Sequence, residues 1–324
     1  MKLNKSTNER WLITGGLGYI GAHVAREFIL AGFEVVIVDN LSTGSIDRLP
    51  DGVHFIQCDV RDSDFINEIC NKFEVSGVVH LAAFKHARES KLKPEKYFSN
   101  NIGGVLGLIK GLNGTSVEKF IFSSSCSIYG NATCVSENSP PNPQSPYALS
   151  KYHSEVILTE SLKSIGIAFT SLRFFNVIGC DDFTKSHDQS EECLIPVIQN
   201  KAANNEPIEI FGTRLETPDG TCQRDYLDVR DIARAHALVS KYISEKNFPA
   251  SINLSSGAPT SVKEIVHEFE LVLQRRIEIV EREPNSADPI AIWAERSSFL
   301  SGLGWKPLYT VKDSIQSHVI ASFK

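Results

Sequence analysis

The sequence predicts an α/β fold: a doubly wound parallel sheet followed by a smaller C-terminal α/β lobe. Three observations carry that expectation. Short apolar runs alternate with helical stretches of about ten residues or more through the first half of the chain, which implies βαβ units and a sheet covered on both faces. A glycine-rich turn joins the first apolar run to the first helical stretch. From about Asn176 the alternation breaks into shorter, more polar segments.

The elements follow in order. Trp11-Leu12-Ile13-Thr14 is a strand that stops at glycines, and residues 20–30 have helical spacing that ends at Gly32. Residues 34–39 are a β-branched strand closed by Asp39, and 53–58 are another short strand. Residues 62–73 read as a helix with Asp62 at the N-cap, and 78–81 as a strand. Residues 94–112 read as one helix entered through Pro94. Strands at 119–123 and 168–173 flank a helix at 147–164. Beyond these, 181–192 is loop-like; helices are expected at 194–203, 229–244 and 261–275, and strands at 208–211, 225–229 and 252–254. Residues 1–176 are assigned to the sheet domain, with some later segments returning to it, and 177–324 mainly to the smaller lobe. That lobe is expected to cover the carboxyl ends of the parallel strands, where open α/β sheets bind ligands.

Composition narrows the function classes. The chain has 324 residues, 42% hydrophobic and 22% charged, which excludes collagen-like, disordered and small disulfide-stapled proteins. No apolar run approaches the roughly 18–20 residues that span a bilayer, so no membrane partner is expected. The net charge of −6 argues against a broad nucleic-acid-binding face. The N-terminal segment is polar, and the seven cysteines are scattered without a Cys-x-x-Cys pair. A cytoplasmic protein with reduced thiols is expected, and no metal site, because no histidine, cysteine or acid cluster has ligand spacing. His80, His86, His153 and His236 read as structural or surface residues.

Thr14-Gly15-Gly16-Leu17-Gly18-Tyr19-Ile20-Gly21 follows the first strand and opens the first helix. Glycines at 15, 18 and 21 allow a tight turn, a close approach of backbone to a pyrophosphate, and packing of helix on strand. The helix N-terminus supplies free N–H groups and partial positive charge. Asp39 lies 18 positions beyond Gly21, near the expected separation of about 20. Together these predict a Rossmann-type dinucleotide site. A carboxylate at Asp39 accepts from ribose hydroxyls and repels a 2′-phosphate, which favours NAD over NADP. Asp59-Val60 fits either the adenine side of that site or a helix cap.

Tyr147 and Lys151 are spaced i, i+4 and share one helix face. A phenol has an ordinary pKa of about 10, which a nearby ammonium and an oxidised nicotinamide both lower; a fall of about three units yields a base near neutral pH. Ser123-Ser124-Ser125 ends a strand upstream, where a serine can hydrogen-bond the substrate hydroxyl that the tyrosine deprotonates.

With these residues in view, the sequence resembles the extended short-chain dehydrogenase/reductase family, and within it the UDP-glucose (UDP-galactose) 4-epimerases. The matching segments are 14–21, Val38-Asp39-Asn40-Leu41, 80–85 (His-Leu-Ala-Ala-Phe-Lys), Asn100-Asn101, 120–125 with Tyr129-Gly130, 143–147 with Ser150-Lys151, Arg173-Phe174-Phe175-Asn176 and Arg224-Asp225-Tyr226. They span nearly the whole chain. The resemblance implies Tyr147 as catalytic base, Lys151 as the group that lowers its pKa and holds the nicotinamide ribose, and Ser125 as the hydroxyl that orients the sugar 4-OH. It implies NAD contacts at Gly15, Gly18, Tyr19, Ile20, Gly21, Asp39, Asn40, Asp59, Val60, Ala82, Lys85 and Asn101. It places Asn176 and Arg224 at the nucleotide diphosphate, Arg282 and Asp288 on the uridine side, and the C-terminal lobe as the substrate lobe. The implied reaction is reversible oxidation at carbon 4 of a UDP-hexose through a 4-keto sugar, with NAD kept bound, in a homodimer paired through helices at 94–112 and 147–164.

Three departures stand out. Cys126 follows the serines where alanine is common. Glu191-Glu192-Cys193 precedes Leu194-Ile195-Pro196 where the family tends to carry an asparagine, and acids beside a diphosphate would repel it. Ile292 precedes Trp293 where hexose-restricted epimerases often carry tyrosine, leaving room for an N-acetyl group. Arg224 sits in a charged stretch, so a surface ion pair competes there with phosphate recognition. The alternatives are an epimerase for a UDP-N-acetylhexosamine, a UDP-uronate or a modified sugar, or a related dehydratase. A 4,6-dehydratase would carry Asp-Glu at Ser125-Cys126, and a non-enzymatic NAD-binding regulator would lack the Tyr/Lys pair; both are disfavoured.

Overall fold

The computed structural model describes residues 9–184, 188, 190, 193–284 and 289–322. In chain order the elements are β1 (Arg10–Thr14), α1 (Tyr19–Leu30), β2 (Glu34–Asp39), β3 (His54–Gln57), α2 (Ser63–Lys72), β4 (Gly77–His80), α3 (Ala87–Leu92), α4 (Pro94–Tyr97), α5 (Gly103–Leu112), β5 (Lys119–Ser125), β6 (Cys134–Val135), α6 (Pro146–Ser164), β7 (Ala168–Phe174) and β8 (Asn176–Ile178). They continue with α7 (Leu194–Ala203), β9 (Ile208–Phe211), β10 (Gln223–Arg224), β11 (Tyr226–Asp228), α8 (Val229–Tyr242), β12 (Ser251–Leu254), β13 (Thr260–Ser261), α9 (Val262–Leu273), β14 (Ile279–Arg282), β15 (Ala291–Ala294), α10 (Ser298–Gly302) and α11 (Val311–Ser322).

Seven strands form the main sheet, in the order β12-β7-β5-β4-β1-β2-β3. The β1–β2, β1–β4, β2–β3 and β4–β5 pairs are parallel. Strand order runs outward in both directions from β1, so the sheet is doubly wound and its switch point lies between β1 and β4, the place where such sheets bind ligands. Alternate residues Leu12, Val36, Val38, Val78, Phe120 and Phe122 build one core with residues of α2, α5 and α6.

The chain forms two compact units. One holds the described residues within 1–128, 143–173 and 232–252; the other holds those within 129–142, 174–231 and 253–324. The second unit has a four-stranded sheet, β13-β10-β15-β6, and two parallel two-stranded pairs, β11–β8 and β14–β9. Its core joins Ile195, Ile198, Ile208, Ile210, Phe269 and Ile315.

The strand expected at 225–229 is β11 (Tyr226–Asp228), and a further two-residue strand, β10, precedes it in a different sheet. Asp225 lies between them, its fully buried carboxylate accepting from Ser255 Oγ and Ser256 N, both at 2.8 Å. The helix at 94–112 is real but contains a π-helical segment at Phe98–Ile102 between α4 and α5. Among the described residues, no helix is long and apolar enough to cross a membrane.

Candidate functional site

The glycine turn is shaped by close backbone approach. Gly15 adopts φ +69°, a region that favours glycine, and a Cβ there would lie 2.7 Å from Ala82 N. A Cβ at Gly21 would lie 2.0 Å from Gly15 O, so the first turn of α1 can pack on the loop only without a side chain. Gly15 and Ala82 are thus brought together at the switch point. Gly18 is the N-cap of α1, has no side chain to cap the helix, and no acid follows in the first turn. The first-turn N–H groups of α1 point toward the turn, an arrangement that suits a phosphate.

Asp39 ends β2 and is buried. Its Oδ2 accepts from Leu17 N of the glycine turn at 3.1 Å, and its Oδ1 from Leu41 N at 2.8 Å. The carboxylate is thereby held rigidly beside the turn, with lone pairs left for ribose hydroxyls. Asp59 is fastened by Arg61, whose Nε and Nη2 donate at 2.9 and 2.7 Å, and by Asn40 Nδ2 at 3.3 Å. The Arg61 hydrogen bond holds its carboxyl down to about 2. The helix cap itself is Asp62, which accepts from Phe65 N. Val60 is buried in the core beside these groups.

The start of α6 is set by Ser145, which accepts from Ala148 N at 3.2 Å, with Pro146 at the first helical position. That places Tyr147 in the first turn, partly exposed, with its ring edge-on to Tyr97 at 6.4 Å. Lys151 follows one turn later and is 5% exposed. Its Nζ donates to Ser123 O at 2.8 Å and lies 4.8 Å from the Phe122 ring centroid, so the ammonium is pinned to the end of β5. Burial pushes it down to about 8, while the Glu155 carboxylate pulls it back up. Ser125 closes β5, and its Oγ accepts from Ser127 N at 3.2 Å.

Two supports were not legible as such in the sequence. Thr14, His80 and Phe122 are register neighbours across β1, β4 and β5. Thr14 Oγ1 and His80 Nδ1 are 2.7 Å apart, and the His80 ring stacks on Phe122 at 5.7 Å. Burial, with the Lys151 charge beside it, drops His80 to about 3, so the imidazole is neutral. Asn101, in the π segment, has its hydrogen-bonding capacity taken within the protein. Its Oδ1 accepts from Phe84 N and Asn100 Nδ2, and its Nδ2 donates to Phe84 O and Ser150 Oγ. Ser150 Oγ donates in turn to Tyr147 O at 2.7 Å. Asn101 therefore ties the loop carrying exposed Lys85 to the first turn of α6, which fits the tendency of π turns to mark functional sites.

The second unit carries the remaining residues. Asn176 opens β8, its N–H bonded to Asp225 O. Arg224 is partly buried in β10; its Nη1 donates to Gln223 O, and the neighbouring ion pair belongs to Arg230 and Asp228. Arg282 is exposed in β14 and committed to Glu209, with Nε and Nη2 donating at 2.9 and 2.7 Å. Ile292 is buried in β15 in register with Arg224. Cys126 is partly exposed, and so is Cys193, just before α7. Asp288, Glu191 and Glu192 lie outside the described residues. Among the described residues, no three histidines, cysteines or acids are grouped to hold a metal ion.

The chain is similar to known proteins over most of its length. The model of the NAD dependent epimerase/dehydratase family matches residues 11–255. A curated UDP-glucose 4-epimerase from Streptomyces lividans is 35% identical over 317 residues, covering 95% of this chain and 96% of that protein. The fold is similar to a UDP-glucose 4-epimerase from Stenotrophomonas maltophila crystallised with NAD and formylated UDP-arabinopyranose, with a TM-score of 0.92 and 29% identity over 97% of this chain and 98% of that one. It is also similar to a UDP-Glc/GlcNAc 4-epimerase from Campylobacter jejuni, with a TM-score of 0.85 and 32% identity over 97% and 99% of the two chains.

Proposed function

The chain belongs to the NAD dependent epimerase/dehydratase family, and from that premise we propose that it is an NAD-dependent UDP-hexose 4-epimerase that interconverts UDP-glucose and UDP-galactose in galactose metabolism. The observation that carries this reading is the placing of Tyr147 and Lys151 on one face of α6, with the Lys151 ammonium fixed to Ser123 O two residues before Ser125.

The residues present fit NAD. The backbone of the glycine turn is packed too closely to admit a Cβ at Gly15 or Gly21, which keeps the turn tight beside the α1 N-terminus, and Asp39 faces that turn with a fixed carboxylate. NAD, when bound, supplies a hydride acceptor for carbon 4 of the sugar and the donor for its return. Tyr147 takes the 4-OH proton as phenolate and gives it back on the return step. Lys151 stabilises that phenolate and holds the nicotinamide ribose. Ser125 Oγ orients the sugar hydroxyl. Lys85, Asn40, Asp59, Val60 and Ala82 line the cofactor side; Asn101 serves through Phe84 and Ser150.

Asn176 and Arg224, in the second unit, are proposed ligands of the UDP diphosphate. Among the described residues no carboxylate pairs with Arg224, which supports phosphate recognition over a surface ion pair. Arg282 reaches a uridine only by exchanging Glu209. A second reading, in which a UDP-N-acetylhexosamine is also accepted, rests on isoleucine rather than a larger side chain at 292. A cytoplasmic homodimer is proposed, its pairing surface the exposed Leu106 of α5 and Val156 of α6, helices that pack together.

The test is to incubate the purified protein with UDP-galactose, UDP-N-acetylgalactosamine and UDP-glucuronate without added NAD and analyse the sugars formed. Conversion of UDP-galactose to UDP-glucose is expected. No conversion of any of the three overturns the proposal, and release of NADP rather than NAD on denaturation overturns the role given to Asp39.

A further inference from the structure

α6 presents a third ionisable side chain on the face that carries Tyr147 and Lys151. Glu155 lies four residues beyond Lys151, continuing the i, i+4 series, and is 6% exposed. Arg173, near the end of β7 and 8% exposed, grips it: Arg173 Nη2 donates to Glu155 Oε2 at 2.6 Å and Nε to Oε1 at 3.0 Å. A buried ion pair is a poor stabilising device, because losing hydration offsets most of the attraction, and apolar side chains of similar volume often serve a core as well. A reason other than stability is therefore required for two charges at this place, and the neighbouring ammonium supplies one.

Lys151 is buried, and its hydrogen bond goes to a neutral carbonyl, Ser123 O. The ionisable groups around it are Tyr147 and Glu155 on its own helix, His80 on β4, and Arg173 on β7, which reaches it through Glu155. His80 is neutral, and the other facing groups from β5 are the Phe122 ring and the Ser123 carbonyl. Among the described residues, Glu155 is thus the fixed anion of this neighbourhood. We propose that Glu155 and Arg173 are positioning residues of the reaction: the Glu155 carboxylate, anchored and partly balanced by Arg173, keeps the buried Lys151 ammonium charged so that it can support the Tyr147 phenolate. Consistent with this geometry, the Glu155 charge opposes the downward push of burial on Lys151. The pair sets the upper end of the pH range in which the enzyme works.

The inference rests on Tyr147 and Lys151 acting as proposed above. Its test uses two holoenzyme variants with opposite expected effects. Glu155→Gln removes the anion and leaves the Arg173 charge, so the alkaline limb of the kcat–pH profile moves down by about one pH unit or more. Arg173→Met leaves the carboxylate less balanced, so the limb moves up. A second readout is independent of turnover. In saturating NAD, the unfolding midpoint of each protein is followed against pH beside that of its Lys151→Met derivative. The pH at which the lysine-containing protein begins to gain on its derivative reports Lys151 proton release. That pH should be lower in the Glu155→Gln protein and higher in the Arg173→Met protein. A role confined to packing lowers kcat or stability without moving either pH. Unmoved limbs and onsets, or shifts in the same direction, overturn the proposal. If one variant does not fold, the direction seen in the other decides. Absence of epimerase turnover in the wild type refutes the function instead, and the stability readout still tests the pair.

Discussion

Replacing Lys151 by methionine should abolish turnover yet stabilise the fold at neutral pH. The side chain is 5% exposed, and burial takes its ammonium from 10.5 to about 8. That gap corresponds to about 3 kcal/mol of charge burial wherever both states are protonated. Methionine avoids this cost, fills a similar volume, and loses the hydrogen bond to Ser123 O, which offsets about 1–2 kcal/mol. A net gain of about 1–2 kcal/mol remains at pH 7, a rise in Tm of a few degrees. The sign changes with pH. Below about 8 the folded protein carries the buried charge in full, and methionine has its whole advantage. Between about 8 and 10.5 the folded wild type has released a proton that its unfolded chain still holds, so the wild type gains stability as pH rises. Above 10.5 neither state is charged, and only the lost hydrogen bond separates the proteins, which leaves the wild type ahead. Thermal unfolding of both proteins, freed of nucleotide and followed from about pH 6 to about pH 11, checks this. A variant less stable than the wild type at pH 7, or a difference that does not change across that window, refutes the reasoning that the ammonium is held against a desolvation cost for catalysis.

Tyr147→Phe should lower kcat by about 10²–10⁴-fold with little change in Tm, because it removes the proton acceptor while the ring keeps its edge contact with Tyr97; a stopped or coupled assay of UDP-galactose conversion measures it. Gly21→Ala should yield protein with little or no bound NAD, because the new Cβ would meet Gly15 O at 2.0 Å and force the turn open; absorbance and mass spectrometry of the denatured supernatant give the occupancy. Ile292→Tyr should depress any turnover of UDP-N-acetylgalactosamine by tenfold or more (about 1.4 kcal/mol) relative to UDP-galactose, read as the ratio of kcat/KM values.

The sheet domain was largely legible because its signals are local. Residues 34–39 and 119–123 declare themselves by β-branched and aromatic runs, and the glycine turn by its spacing. The start of α6 follows from Ser145-Pro146, so the Tyr147/Lys151 face is readable from local sequence. What was hidden depended on long-range pairing. The π segment at Phe98–Ile102 differs from α-helix by a hydrogen-bond shift with no compositional mark, and its use of Asn101 is set by Phe84 and Ser150. The strands β6, β10 and β13 have two residues each, too few to show a period. In the charged stretch after Gln223 the sequence does not say which arginine is paired; the structure gives Asp228 to Arg230, which also lies 3.5 Å from the Tyr309 ring centroid, and leaves Arg224 its carbonyl contact. Glu155 and Arg173 are 18 positions apart and come together only when β7 is laid beside β5.

The central claim is that carbon 4 loses and regains its own hydride inside one active site. UDP-galactose deuterated at carbon 4, incubated with the purified protein without added NAD, tests it most directly. The expected product is UDP-glucose with the deuterium still at carbon 4 and none exchanged with water. Deuterium lost to solvent, or product formed only when free NAD is supplied in turnover amounts, would contradict it.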